Sequence, residues 1–130
     1  MSLFEVDLEF QQFRNSGEFY KQVFNSSVLP IIIHDMYFNI IDVNDKAISE
    51  FGYSKEEFLK LQIFDLHAES EIRNSLEVLE KMKKKDSLTV NTLFKRKDGS
   101  LFSAEATPCK INFKSSAFIH VHLQKIKTQD

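Results

Sequence analysis

The dipeptide Asp98-Gly99 stands between two stretches that alternate apolar and polar residues, Leu88 to Arg96 and Leu101 to Phe113. Asp-Gly between alternating runs is the strongest short-range signal for a β-hairpin, because Gly supplies the positive φ that a tight turn needs. A third alternating stretch, Ala117 to Ile126, extends the hairpin into an antiparallel meander. In that last strand Ile119, Val121 and Leu123 share one face, and His120, His122 and Gln124 share the other. Any fold for this chain must therefore lay one apolar sheet face against something else.

The residues that precede the meander supply the cover. Ile31-Ile32-Ile33 is a β-branched run after Pro30, and Ile40 to Val43 follows across a turn near Met36 to Asn39, which predicts a second hairpin. From Asn44 the period changes to that of a helix, with Ala47, Ile48 and Phe51 on one side and Gly52 placed to end it in a left-handed conformation. Ser54 and Glu57 match a capping box, so a further short helix buries Phe58 and Leu61. Ile72, Leu76, Leu79 and Met82 mark one face of a longer helix over about 70–85. Its Lys81, Lys83, Lys84 and Lys85 complement the helix dipole and are assigned no binding role. At the N-terminus Leu3, Val6, Phe10 and Phe13 form a helical stripe over 3–14, and a second short helix over 18–24 carries Phe19 and Val23.

Composition narrows the function classes. With 130 residues there is one core. A formal net charge of -2 offers no basic footprint for nucleic acid. No apolar run approaches the roughly 18 residues of a membrane span, and no signal peptide is evident, so no direct membrane contact and a cytoplasmic setting are expected. Cys109 is the only cysteine and reads as a small buried hydrophobe. Thirteen Phe and no Trp predict an interior lined by flat rings, which can fill a core or surround a cavity.

The order of elements, hairpin, short helices, one longer helix and meander, resembles the PAS fold. Particular residues carry the resemblance. Phe24-Asn25-Ser26-Ser27 followed by Pro30-Ile31 and Asp35 is similar to the start of that family's domain. Ile41-Asp42-Val43-Asn44, Ala47, Phe51-Gly52-Tyr53-Ser54 and Glu56-Glu57-Phe58 are similar to its strand-to-helix segment. Arg96-Lys97-Asp98-Gly99-Ser100, with Phe102 after it, is similar to its basic hairpin turn. The resemblance implies an α+β class: a five-stranded antiparallel sheet with short helices and one longer helix on the concave face, plus an N-terminal helical cap. The expected division is 1–17 for the cap, 18–127 for the PAS domain and 128–130 for the start of a linker, as in a segment cut from a longer signalling protein. Asp35, Asn44, Gly52 and Gly99 read as scaffold, serving in an Asx-type turn, a cap and two positive-φ positions. The family often closes in Asp-Ile-Thr, where this chain has Lys125-Ile126-Lys127. That exchange of a carboxylate for a cation shifts weight to the N-terminal helix as a partner surface.

Nothing in the sequence matches a phosphate loop, a metalloprotease helix or a nucleophile elbow, so the chain is read as no enzyme. An active-site reading would have to use Asp35, Glu105 or His122, and alternation turns the last two outward. His34 and His67 read as surface or capping side chains. His120 and His122 could supply two ligands to a metal, but no third is evident, and no metal is assigned. Haem is disfavoured because 70–85 contains no His, and covalent flavin because Cys109 lies on a late strand. No cofactor is assigned: an unidentified small molecule stays open, and so does non-covalent flavin, although the pocket positions read as too apolar for an isoalloxazine edge.

The expected pocket takes Phe94, Phe102, Ala104, Val121 and Leu123 from the sheet, with Ile33, Ile41, Phe51, Phe58, Leu66, Ile72 and Leu76 closing the other side. The resulting expectation is a regulatory sensor domain that binds a small apolar or aromatic ligand, or a protein partner. It relays the change to an effector outside this chain, in a histidine kinase, a cyclic-dinucleotide enzyme or a transcription regulator. A homodimer through Leu3, Val6, Phe10 and Phe13 and the outer sheet face is the expected assembly. A ligand-free dimerisation module with a fully packed core is the alternative.

Overall fold

A computed structural model describes residues 2–126; the side chains of Leu3, Phe4, Val6, Asp7 and Phe113 also lie outside the described residues. Helices α1 (Leu3–Arg14) and α2 (Gly17–Asn25) lead into strands β1 (Ile31–Asp35) and β2 (Ile40–Val43). Helices α3 (Asp45–Phe51), α4 (Lys55–Phe58) and α5 (Ile72–Met82) follow, joined by 3-10 turns at Ile63–Leu66 and Glu69–Glu71. Strands β3 (Val90–Lys95), β4 (Leu101–Phe113) and β5 (Ser116–Lys125) come last among the described residues.

The five strands form one antiparallel sheet in the order β2-β1-β5-β4-β3. The C-terminal strand is therefore central, and the first hairpin docks on its open edge. That docking fixes the face of β1: Ile32 lies opposite Val121 and His34 opposite Ile119, so Ile32 and His34 turn inward with them.

Local chemistry sets the joints. Asn44 is fully buried and caps α3 through its Oδ1, which accepts from Ala47 N and also from Ile31 N. Its Nδ2 donates to Phe24 O and Leu29 O, so one side chain ties α2, β1 and α3 together. Gly52 ends α3 at φ 83°, and Gly99 takes φ 88° in the β3–β4 turn. Ser54 and Glu57 form a reciprocal capping box at α4. Asp35 Oδ1 accepts from Tyr37 N and Asn39 N, holding the β1–β2 turn closed.

At α1 and α2 the aromatic residues pack on one another. Phe10 and Phe13 both meet Phe19 edge-on, with ring centroids 6.2 and 5.2 Å apart. On α2 it is Phe24 that is buried, whereas Val23 faces solvent. Tyr20 stacks on Phe24 and donates to Asp42 Oδ2 at 2.9 Å, which fastens α2 to the edge strand. No helix among the described residues is long and apolar enough to cross a membrane.

Candidate functional site

Between α5 and the concave face of the sheet lies a hollow of about 280 Å³. Ile32, Val121 and Leu123 form its floor, Phe94, Ala106 and Pro108 one flank, and Val78 and Leu79 its roof. The exposed residues Asn74, Glu77, Lys81 and Asn91 rim the mouth. A smaller space of about 160 Å³ adjoins it, sharing His34 and Leu79 and lined further by Met36, Phe38 and Leu76.

Two buried imidazoles stand in this wall, beside the half-buried Ser75 and Thr92. His34, 1% exposed, sits at an inward position of β1, and its Nδ1 lies 2.8 Å from Asp35 O. A carbonyl oxygen only accepts, so Nδ1 carries the proton and Nε2 keeps a lone pair. His67, 7% exposed, bridges to Phe94 on β3 and stacks on its ring at 4.8 Å. Its Nε2 meets Ser75 Oγ of α5 at 3.1 Å, whereas Nδ1 is buried with no partner. Burial drives the His67 pKa down from 6.5 to about 4, against the opposing pull of Glu71 and with a still smaller push from His34. Burial lowers His34 as well, so both rings are neutral at pH 7. An unsatisfied buried nitrogen costs about 1–3 kcal/mol unless something bonds to it. The hollow thus combines an apolar floor and roof with hydrogen-bonding capacity at two buried imidazoles.

A sequence profile described as PAS domain matches residues 28–123. The chain belongs to the PAS domain family. No curated protein gives a significant match. Among solved structures, a PAS domain from a two-component sensor histidine kinase is similar at 20% identity and a TM-score of 0.74, covering 93% of this chain and 99% of that one. The PAS domain of an HTR-like protein from Haloarcula marismortui aligns at 22% identity and a TM-score of 0.75, over 94% and 97% of the two chains. A third, the PAS domain in complex with ethanol of a LuxR-family transcriptional regulator from Burkholderia thailandensis, aligns at 18% identity and 0.69, over 82% and 96%. At these identities the neighbours establish the fold.

The sequence-expected pocket residues of this PAS domain separate into groups. Phe94, Val121 and Leu123 line the hollow. Phe51, Phe58, Leu66, Phe102 and Ala104 belong to the packed core beside it and do not line it. Ile72 is half-buried on α5, and Leu76, 44% exposed, lines only the adjoining space. Ile33 and Ile41 are corrections. Ile33 lies opposite His120 on the outer face, because the register of β1 on β5 turns Ile32 inward instead. Ile41 is 42% exposed because a bulge shifts pairing from Ile33–Asp42 to His34–Ile40, leaving Ile41 out of the alternation that Val43 begins. His34 and His67 are also corrected, from surface positions to buried walls of the hollow. Neither gave a local signal: the face of His34 follows from the register of β1 on β5, and the placement of His67 from the bridge to β3.

On the α1 stripe, Phe10 is 53% exposed and Phe13 half-buried, while the side chains of Leu3 and Val6 lie outside the described residues. Cys109 is half-buried on the outer sheet face, opposite His120, which corrects its reading as a core hydrophobe. It is not part of the hollow's wall, so the hollow offers no thiol for a covalent flavin. Asp35 closes its turn, Glu105 is exposed, and His122 shares the outer face with His120.

Proposed function

We propose that this chain is the regulatory sensor domain of a larger signalling protein and that the hollow beneath α5 receives its signal. The observation that carries the reading is the orphaned Nδ1 of His67, buried in an apolar hollow beside a second neutral imidazole. The ligand this favours is a small, largely apolar molecule with one hydroxyl or similar group, able to donate to His34 Nε2 and to bond His67 Nδ1. At about 280 Å³ the space sits at the lower edge of the roughly 300–1,000 Å³ typical of small-molecule pockets, which favours a compact ligand over haem or a flavin.

Ser75 hydrogen-bonds His67 from α5, so a ligand that takes hold of that imidazole alters a bond made by the helix roof. Displacement of α5 relative to β5 is then the change available to an effector outside this chain, as in a histidine kinase, a cyclic-dinucleotide enzyme or a transcription regulator. No catalytic step is part of this reading. A homodimer through α1 accords with the exposure of Leu8 and Phe10 and is tested by light scattering of Phe10→Glu against the parent chain. The ligand-free alternative requires a filled core, and the space under α5 weighs against it.

Native mass spectrometry, followed by denaturation, tests the sensor reading. The expected result is a released small molecule, or, from ligand-free protein, a rise in Tm with phenol that is lost in Ala106→Phe, which fills the hollow. No released mass and no phenol response in the parent chain would overturn it in favour of the packed interaction module.

A further inference from the structure

The outer face of the sheet, away from the hollow, brings together the side chains of Cys109, His120 and His122. We propose that these three bind a zinc-class transition-metal ion. One ligand atom from each lies within 4.8 Å of the others. Tetrahedral zinc, with Zn–N near 2.0–2.1 Å and Zn–S near 2.3 Å, separates its ligand atoms by roughly 3.3–3.6 Å. Small side-chain rotations therefore close the set.

The backbone holds the three in place. Cys109 on β4 is directly opposite His120 on β5, and His122 is two residues along the same strand, on the same face. Because β5 is the central strand, β1 flanks the histidines on the other side, with Ile33 opposite His120 and Ile31 opposite His122. The two imidazoles already lean together, with centroids 4.9 Å apart at 85°. All three residues are half-buried, so the set is partly shielded yet reachable from solvent, and water fills the fourth position. Two imidazoles and a thiolate suit zinc and neighbouring late first-row ions, whereas magnesium and calcium require oxygen ligands. Binding releases the thiol proton, which now goes to Thr107 O over 3.9 Å.

The test titrates the reduced full chain with Co²⁺ and follows absorption. The expected result is saturation at one ion per chain, with the ligand-field bands of a four-coordinate ion and a sulfur-to-cobalt charge-transfer band. Zn²⁺ should abolish both, and Mg²⁺ neither. Cys109→Ser should lose the charge-transfer band, and His120→Gln should weaken binding at least about tenfold. Far-UV circular dichroism confirms that each variant folds. Absence of saturable binding by the parent chain, or a charge-transfer band that survives in Cys109→Ser, would overturn the proposal. Neither result bears on the hollow beneath α5.

Discussion

At the end of the concave face nearest the β3–β4 turn, Phe51 meets Phe58, Phe94 and Phe102 with ring centroids 5.8, 5.9 and 5.3 Å apart, whereas under α5 the same face looks into open space. The aromatic end is also fastened from outside. Lys97 N donates to Phe51 O, Arg96 Nε donates to Glu50 O, and the Arg96 guanidinium lies 4.5 Å over the Phe102 ring. Helix α5 has only Met82 fully buried along its length. One half of the domain is a rigid anchor, and the other is a roof that can respond to what lies beneath it.

Removing the anchor should have the largest effect. Phe51→Ala is expected to lose about 3–5 kcal/mol in urea unfolding, because its ring has neighbours on every side and no means of collapse. A loss under about 1 kcal/mol would erase the distinction between the two halves. The hollow half should instead reveal itself through pH. His67 has a folded pKa near 4 against 6.5 for the ordinary side chain, so between those values the unfolded chain binds a proton that the folded chain refuses. Stability therefore falls as pH drops through that window. Relative to His67→Phe, the parent chain should lose roughly 3 kcal/mol between pH 7 and pH 4. Parallel pH profiles for the two proteins would contradict the burial of this imidazole.

The joint between the halves comes next. Asn44→Ala removes a cap, takes from Phe24 O and Ile31 N their side-chain partner and leaves Leu29 O only the Ser27 hydroxyl, at an expected cost of about 2–3 kcal/mol. Leu76→Ala on the half-exposed roof should cost less than about 1 kcal/mol. A larger loss there would mean that α5 is packed as firmly as the anchor.

What could be read from the sequence follows the same division. Capping and turn residues act locally, so Asn44, Gly52, Ser54 with Glu57 and Asp98-Gly99 disclosed the element order without knowledge of the tertiary structure. Faces set by long-range register were harder. Three consecutive isoleucines give no period, so only β5 decides that Ile32 and not Ile33 turns inward. The face of Cys109, by contrast, was legible: with Phe102 and Ala104 expected inward on the same strand, alternation already turns it outward, where it pairs with His120. His67 reaches the hollow through an isolated bridge between a loop and β3, for which no sequence pattern exists.

The central claim is that the hollow, with its two buried imidazoles, is a receptor site. Side-chain nitrogen spectra of the histidines, recorded during a titration with phenol, test it most directly. Saturable shifts at His34 and His67, with amide shifts at Val78 and Val121 and none at Phe58, are the expected result. Unmoved histidine nitrogens under saturating phenol would contradict it.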